Sequence, residues 1–202
     1  MIFHELPLSG AFVVDLEPYS DDRGDFVRAW CRNEFDRQGL ATEFVQGNAS
    51  INPVAGTMRG LHYQAAPHTE AKLVRCIRGA IYDVIVDLRT DSPSYLQWIS
   101  IELSPRLLRM VYVPEYFAHG FQTLEPDTEI NYLVSAFYEP KAACGLRYDD
   151  PGLGIDWPLP VTRISVQDRA WPSLAKSPPS FESVSARAPS GDRRAGLQAR
   201  RG

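Results

Sequence analysis

The sequence predicts an all-β domain, a sandwich or small barrel built from many short strands. Two observations carry this. Apolar residues recur with period two in short runs, and turn-forming residues separate those runs at close spacing. The single helical pattern, Asn33 to Gln38 with Asn33 as its N-cap, is short and lies early in the chain.

Taken in order, the clearest strand is Ala80 to Leu88. It places Tyr82, Val84, Val86 and Leu88 on one face and Asp83 and Asp87 on the other. Ile99, Ile101 and Leu103 form a second period-2 face. Met110 to Val113 and Ile130 to Val134 are further β-rich runs. Turn signals divide them: Arg78-Gly79, Thr90-Asp91-Ser92-Pro93, Ser104-Pro105, Pro114-Glu115 and Glu125-Pro126-Asp127. Short strands at this spacing indicate a sandwich or small barrel.

The 202 residues are read as one domain over 1–175 and a disordered basic tail over 176–202, rich in Ser, Pro, Ala, Gly and Arg. The whole chain carries a net charge of −4. The tail holds six basic residues (Lys176, Arg187, Arg193, Arg194, Arg200 and Arg201) against Glu182 and Asp192, a balance of +4 that leaves −8 on the body. A body that acidic argues against nucleic-acid binding, and any anionic ligand has to be held by local arginines and lysines. No apolar run has the length of a membrane span, and the first residues lack the pattern of a secretory signal. Cys31, Cys76 and Cys144 are odd in number and show no metal-type spacing. They are expected to be reduced, buried thiols of a cytoplasmic protein.

Three stretches set ionisable groups into apolar strands: Gly56 to Gln64 followed by Glu70 to Arg75, then Val113 to Phe121, then Asn131-Tyr132 with Tyr138 downstream. The first two look like the two motifs of the cupin barrel. A metal-binding cupin supplies His-x-His, a Glu and a later His; here Gln64 replaces the second histidine, leaving His62 and His119 with Glu70 as a weak third donor. Three or four well-placed ligands are normally required, so no metal is expected. Lys72 shares strand parity with Val74 and Cys76, which turns a cation toward an apolar face where it must pair or work. A base (His62), two cations (Arg59 and Lys72) and a phenol near one barrel mouth suit proton abstraction beside a carbonyl.

The chain resembles the dTDP-4-dehydrorhamnose 3,5-epimerase family over about residues 10 to 172. The segments that carry the resemblance include Asp22-Arg23-Gly24-Asp25-Phe26, Phe44 to Ser50, Met58 to Gln64, Ala71 to Arg75, Asp83 to Arg89, Pro114 to Phe121 and Asp149 to Pro158. The resemblance implies a cupin-like jelly-roll β-barrel with a few short helices, a homodimer, no metal or organic cofactor, and a nucleotide-linked 4-keto-6-deoxyhexose as substrate. It further implies His62 as general base, Asp168 as the carboxylate that orients it, Lys72 as the cation on the enolate oxygen and Tyr132 as proton donor. Arg59 and His119 match ligand-contacting positions. Arg23, Gln46 and Asn48 match nucleotide-binding positions, and Tyr138 an aromatic that stacks on the base. The chain departs from the family pattern at Arg28, at Ala143-Cys144 and at Gln167. These departures leave open an epimerase that acts at one carbon only. A non-catalytic sugar-binding barrel is the alternative from another class.

Overall fold

Residues 1–177, 179 and 181 are described by a computed structural model, in which they form thirteen strands and two short helices. In chain order these are β1 (Ile2–Glu5), β2 (Phe12–Asp15), β3 (Pro18–Asp21), β4 (Gly24–Val27), α1 (Arg32–Arg37), β5 (Gln46–Asn52), β6 (Met58–Gln64), β7 (Lys72–Arg78) and β8 (Ile81–Asp87). Then follow β9 (Trp98–Leu103), β10 (Arg109–Val113), β11 (Phe117–Thr123), β12 (Thr128–Val134), β13 (Ala143–Gly145) and α2 (Val166–Ala170). A six-stranded sheet, β1-β2-β10-β7-β12-β5, faces a five-stranded one, β13-β6-β11-β8-β9, in a jelly-roll barrel, while β3 and β4 pair apart as a hairpin. Every strand pair is antiparallel. The expected helix begins at Arg32, with Cys31 in the N-cap position and no side-chain cap, so Asn33 lies inside the first turn.

Strand parity decides what enters the barrel. Val74 and Cys76 of β7, Val111 and Val113 of β10, Phe117 and Phe121 of β11 and Ile130 of β12 join Ile101 and Leu103 of β9 in one closed core. On β8 the parity inverts the simple reading. Ile81 and Ile85 belong to that interior core, which turns Asp83 inward with them. Val84, Val86 and Leu88 instead pack outward under Leu146, Leu153, Leu174 and Phe181. Both faces of β8 are therefore buried, because the chain beyond β13 folds back over the outside of the five-stranded sheet.

That return is pinned by polar side chains. Gln122 Nε2 donates to Leu159 O at 2.7 Å, Leu174 N donates to Asp150 Oδ2 at 2.8 Å, and Trp98 Nε1 donates to Leu153 O at 2.8 Å. The packed chain runs past the expected boundary at residue 175. Phe181 is 8% exposed, its carbonyl accepts from both the backbone N–H and the hydroxyl of Thr90, and its ring meets Tyr63 and Tyr116 edge-on. An apolar ring in an otherwise polar stretch is enough to extend the fold. The remainder of the expected tail, 182–202, lies outside the described residues. Of the three thiols only Cys76 is buried; Cys31 and Cys144 are half-buried.

Candidate active site

One end of the barrel interior is polar. The inward positions of β5 (Gln46 and Asn48), β6 (His62 and Gln64), β7 (Lys72) and β12 (Tyr132) line a cavity of about 360 Å³. Tyr63, Glu70, Val134, Tyr138, Ala143, Cys144, Gln167 and Trp171 complete its wall. The two strands that carry the histidines approach closely. A Cβ on Gly60, whose φ is +120°, would stand 2.6 Å from Gly120 Cα, and one on Gly120 would stand 2.7 Å from Arg59 O. The register between β6 and β11 shifts at this point, and His62 and His119 become cross-strand partners.

His62 Nε2 lies 2.6 Å from Asp168 Oδ1; the His62 side chain is 45% exposed and that of Asp168 only 6%. Local sequence aims the carboxylate. Ser165 caps α2 by accepting the N–H of Asp168, which fixes Asp168 in the first turn. Gly60 N–H also donates to Asp168 Oδ2 at 3.3 Å. Burial pushes the Asp168 carboxyl up, but its hydrogen bonds to His62 and Gly60 outweigh burial and hold it below the usual carboxylate range. An ionised Asp168 makes the neutral imidazole present its N–H at Nε2, which leaves Nδ1 free to take a proton. Trp171 stands edge-on to the ring at 6.5 Å.

Lys72 and Glu70 form an ion pair at 3.2 Å with side chains 8% and 12% exposed, and Lys72 Nζ also donates to His62 O at 3.3 Å. The cation on an apolar face thus pairs as the sequence required. Burial, then the Glu70 charge, raise the Tyr132 phenol above its ordinary range against a smaller opposing effect of Arg59, so Tyr132 keeps its proton at neutral pH. Tyr63, in the same wall, is pushed up to about 12 by burial and then by Cys144.

Other expected site residues sit elsewhere. His119 is buried and pairs with Asp83 at 2.8 Å. Asp83 is fully buried with Oδ1 unpartnered, and burial raises its carboxyl despite His119 and Lys72. Arg59 is exposed and donates to Asn52 Oδ1 at 2.8 Å; it does not line the cavity wall, though its charge reaches Tyr132. Arg23 is not brought to the cavity of its own chain: it stands at the tip of the β3–β4 hairpin, 84% exposed and paired with Asp21. Arg28 pairs with Glu34 at 3.0 Å. Glu70 is the lysine's partner, and among the described residues no three His, Cys, Asp or Glu side chains converge in a metal-binding group. The sequence reading missed Asp83, because the alternation of β8 set it opposite the more apolar face. It also passed over Trp171 and Tyr63, whose packing-type residues carry no local signal.

Barrel and site together define a jelly-roll isomerase with acid–base groups gathered at the barrel mouth. The sequence profile described as dTDP-4-dehydrorhamnose 3,5-epimerase matches residues 5–176. The dTDP-4-dehydrorhamnose 3,5-epimerase of Sinorhizobium fredii (strain NBRC 101917 / NGR234) is 41% identical over 185 residues, 91% of this chain and 95% of that protein. The crystal structure of the Bacillus anthracis enzyme, with TDP and PPi bound, matches with a TM-score of 0.83 at 39% identity, covering 86% of this chain and 99% of that one. The Legionella pneumophila enzyme, in complex with dTDP-4-keto-L-rhamnose, matches with a TM-score of 0.83 at 32% identity, covering 90% and 99%. The chain belongs to the dTDP-4-dehydrorhamnose 3,5-epimerase family.

Proposed function

We propose that this chain epimerises a thymidine-diphosphate-linked 4-keto-6-deoxyhexose at C3 and C5, as a step in deoxysugar biosynthesis in the cytoplasm. The observation that carries this reading is the meeting of the His62–Asp168 pair, Lys72 and Tyr132 on one cavity. Both C3 and C5 are α to the C4 carbonyl, so each C–H is acidified. His62 Nδ1 takes the proton, and the C–H electron pair moves onto the carbonyl oxygen. The Lys72 ammonium, itself buried, stabilises that enolate. Tyr132, held protonated, returns a proton to the opposite face of the carbon. Asp168 stabilises the imidazolium that forms.

Gln46 and Asn48 offer amides for the nucleotide, and Tyr138, 58% exposed, a ring for the base. We assign Arg23 to the cavity of a second copy in a homodimer. The separate β3–β4 hairpin carries Tyr19 and Phe26 exposed at 72% and 74%, and a lone two-stranded ribbon is marginal in water. A reading as a one-carbon epimerase rests on the cavity wall itself, where Ala143, Cys144 and Gln167 depart from the family pattern.

Deuterium uptake from solvent into the 4-keto sugar tests the assignment and shows which carbons exchange. His62→Ala should cut exchange at every carbon by roughly 10²- to 10⁴-fold while circular dichroism stays native. Near-normal exchange in that variant removes His62 as the base.

A further inference from the structure

We propose that Gln64 is a positioning residue that ties the lysine of the enolate site and the aromatic of the base site to one frame. It lies on β6 two residues beyond His62, faces the same side and is 4% exposed. Both ends of its carboxamide are engaged. Nε2 lies 2.9 Å from His68 O, 3.3 Å from Glu70 Oε2 and 3.3 Å from Phe137 O, and Oε1 accepts the N–H of Glu139 at 2.7 Å. His68 and Glu70 belong to the loop that enters β7, and the second oxygen of Glu70 holds Lys72. Phe137 and Glu139 flank Tyr138 on the other loop. From the opposite sheet, Gln46 Oε1 accepts the Tyr138 N–H at 3.2 Å. Tyr138 is thus gripped by one amide from β5 and one from β6, and the β6 amide also steadies the carboxylate that aims Lys72.

Few side chains can do this. The position needs two or more donated contacts and one accepted contact from a single buried planar group, and a carboxamide supplies both. A carboxylate would face the Glu70 carboxylate and two carbonyls with no donor. An aliphatic side chain would strand the Glu139 N–H and the Glu70 oxygen. In the metal-binding arrangement of this barrel the same position holds a histidine; here it serves as a clamp between chemistry and nucleotide recognition.

The inference rests on the roles proposed above for Lys72 and Tyr138, and its test separates the two. Titration calorimetry with dTDP reads the base site alone, and kcat of the epimerisation reads the enolate site. Glu70→Gln should lower kcat while leaving dTDP affinity within about twofold. Tyr138→Ala should weaken dTDP by about tenfold. Gln64→Leu should do both, by about tenfold each, although it adds no charge and removes no group assigned to base or enolate. Pairing Gln64→Leu with Tyr138→Ala should add little further loss in dTDP affinity, and pairing it with Glu70→Gln little further loss in kcat. Fully additive pairs, or a Gln64→Leu protein with wild-type affinity and kcat, would overturn the clamp. If Glu70→Gln leaves kcat unchanged, or Tyr138→Ala leaves dTDP affinity unchanged, the underlying role fails instead. Gln64→Met provides a second variant of similar length. Failure of both Gln64 variants to fold would show that Gln64 holds the barrel rather than the site, which also overturns the proposal.

Discussion

His62 and His119 sit on neighbouring strands, and their aspartate partners behave oppositely because their surroundings differ. Asp168 has hydrogen bonds from two directions and an imidazole open to the cavity, and its carboxyl is held down. Asp83 is sealed in the barrel with one oxygen unpartnered, and its carboxyl is held up. The consequences for stability have opposite signs. The contribution of Asp168 is present above the ordinary 3.8 of an aspartate and is lost as pH falls through its lower folded value. That of Asp83 is complete below 3.8 and is lost as pH rises through its higher folded value. Asp83→Asn, which cannot ionise, should therefore gain in melting temperature relative to wild type as pH is raised from about 4 to about 8. A difference that is flat or runs the other way contradicts the buried, raised carboxyl. Tyr132→Phe gives a separate expectation. His62 and Lys72 still form the enolate, so solvent exchange should continue while inversion is lost and the starting configuration returns. Parallel loss of exchange and inversion would make Tyr132 a binding group only.

At the level of single elements, much could be read from the sequence, and the exceptions share a physical cause. The strands at Ile99–Leu103, Met110–Val113 and Ile130–Val134 announced themselves by β-rich or alternating runs, because one face of each meets a core. Lys72 was legible as an inward cation for the same reason. Alternation could not say which face of β8 is the interior, since both are buried and the polar Asp83 sits on the inner one. Nor does spacing reveal that Gly60 and Gly120 stand back to back. That contact lies where the β6–β11 register shifts, between His119 and Phe121. Gly120→Ala would place a methyl 2.7 Å from Arg59 O and 2.9 Å from Leu61 Cδ2. Overpacking of this kind costs about 1–3 kcal/mol. Urea unfolding should show that loss, and an unchanged midpoint would mean that β6 and β11 separate freely.

Across the whole molecule the decisive long-range contact is the fold-back of the C-terminal segment. Reading the chain by composition ends the domain at 175, because Ser177 to Ser180 look like linker; the lone Phe181 carries too little local pattern to correct it. A chain ending at Ser177 loses the Phe181 ring and both bonds from Thr90. Burying such a ring contributes about 1.5–3 kcal/mol, so this truncation should lower the melting temperature by several degrees. A chain ending at Phe181 should keep it, since 182–202 offers few apolar residues to pack. Equal melting temperatures for the two would show that Phe181 adds nothing. The four histidines are distributed across this same architecture. His4 lies on an edge strand beside Asp15, His68 is exposed in a loop, His62 opens on the cavity, and His119 is closed inside the wall. Four imidazole resonances in a magnetic-resonance spectrum thus survey rim, loop, mouth and interior at once. Because the mouth and interior rings are cross-strand partners, the spectrum distinguishes an event that stops at the cavity from one that reaches the barrel wall, without any added label.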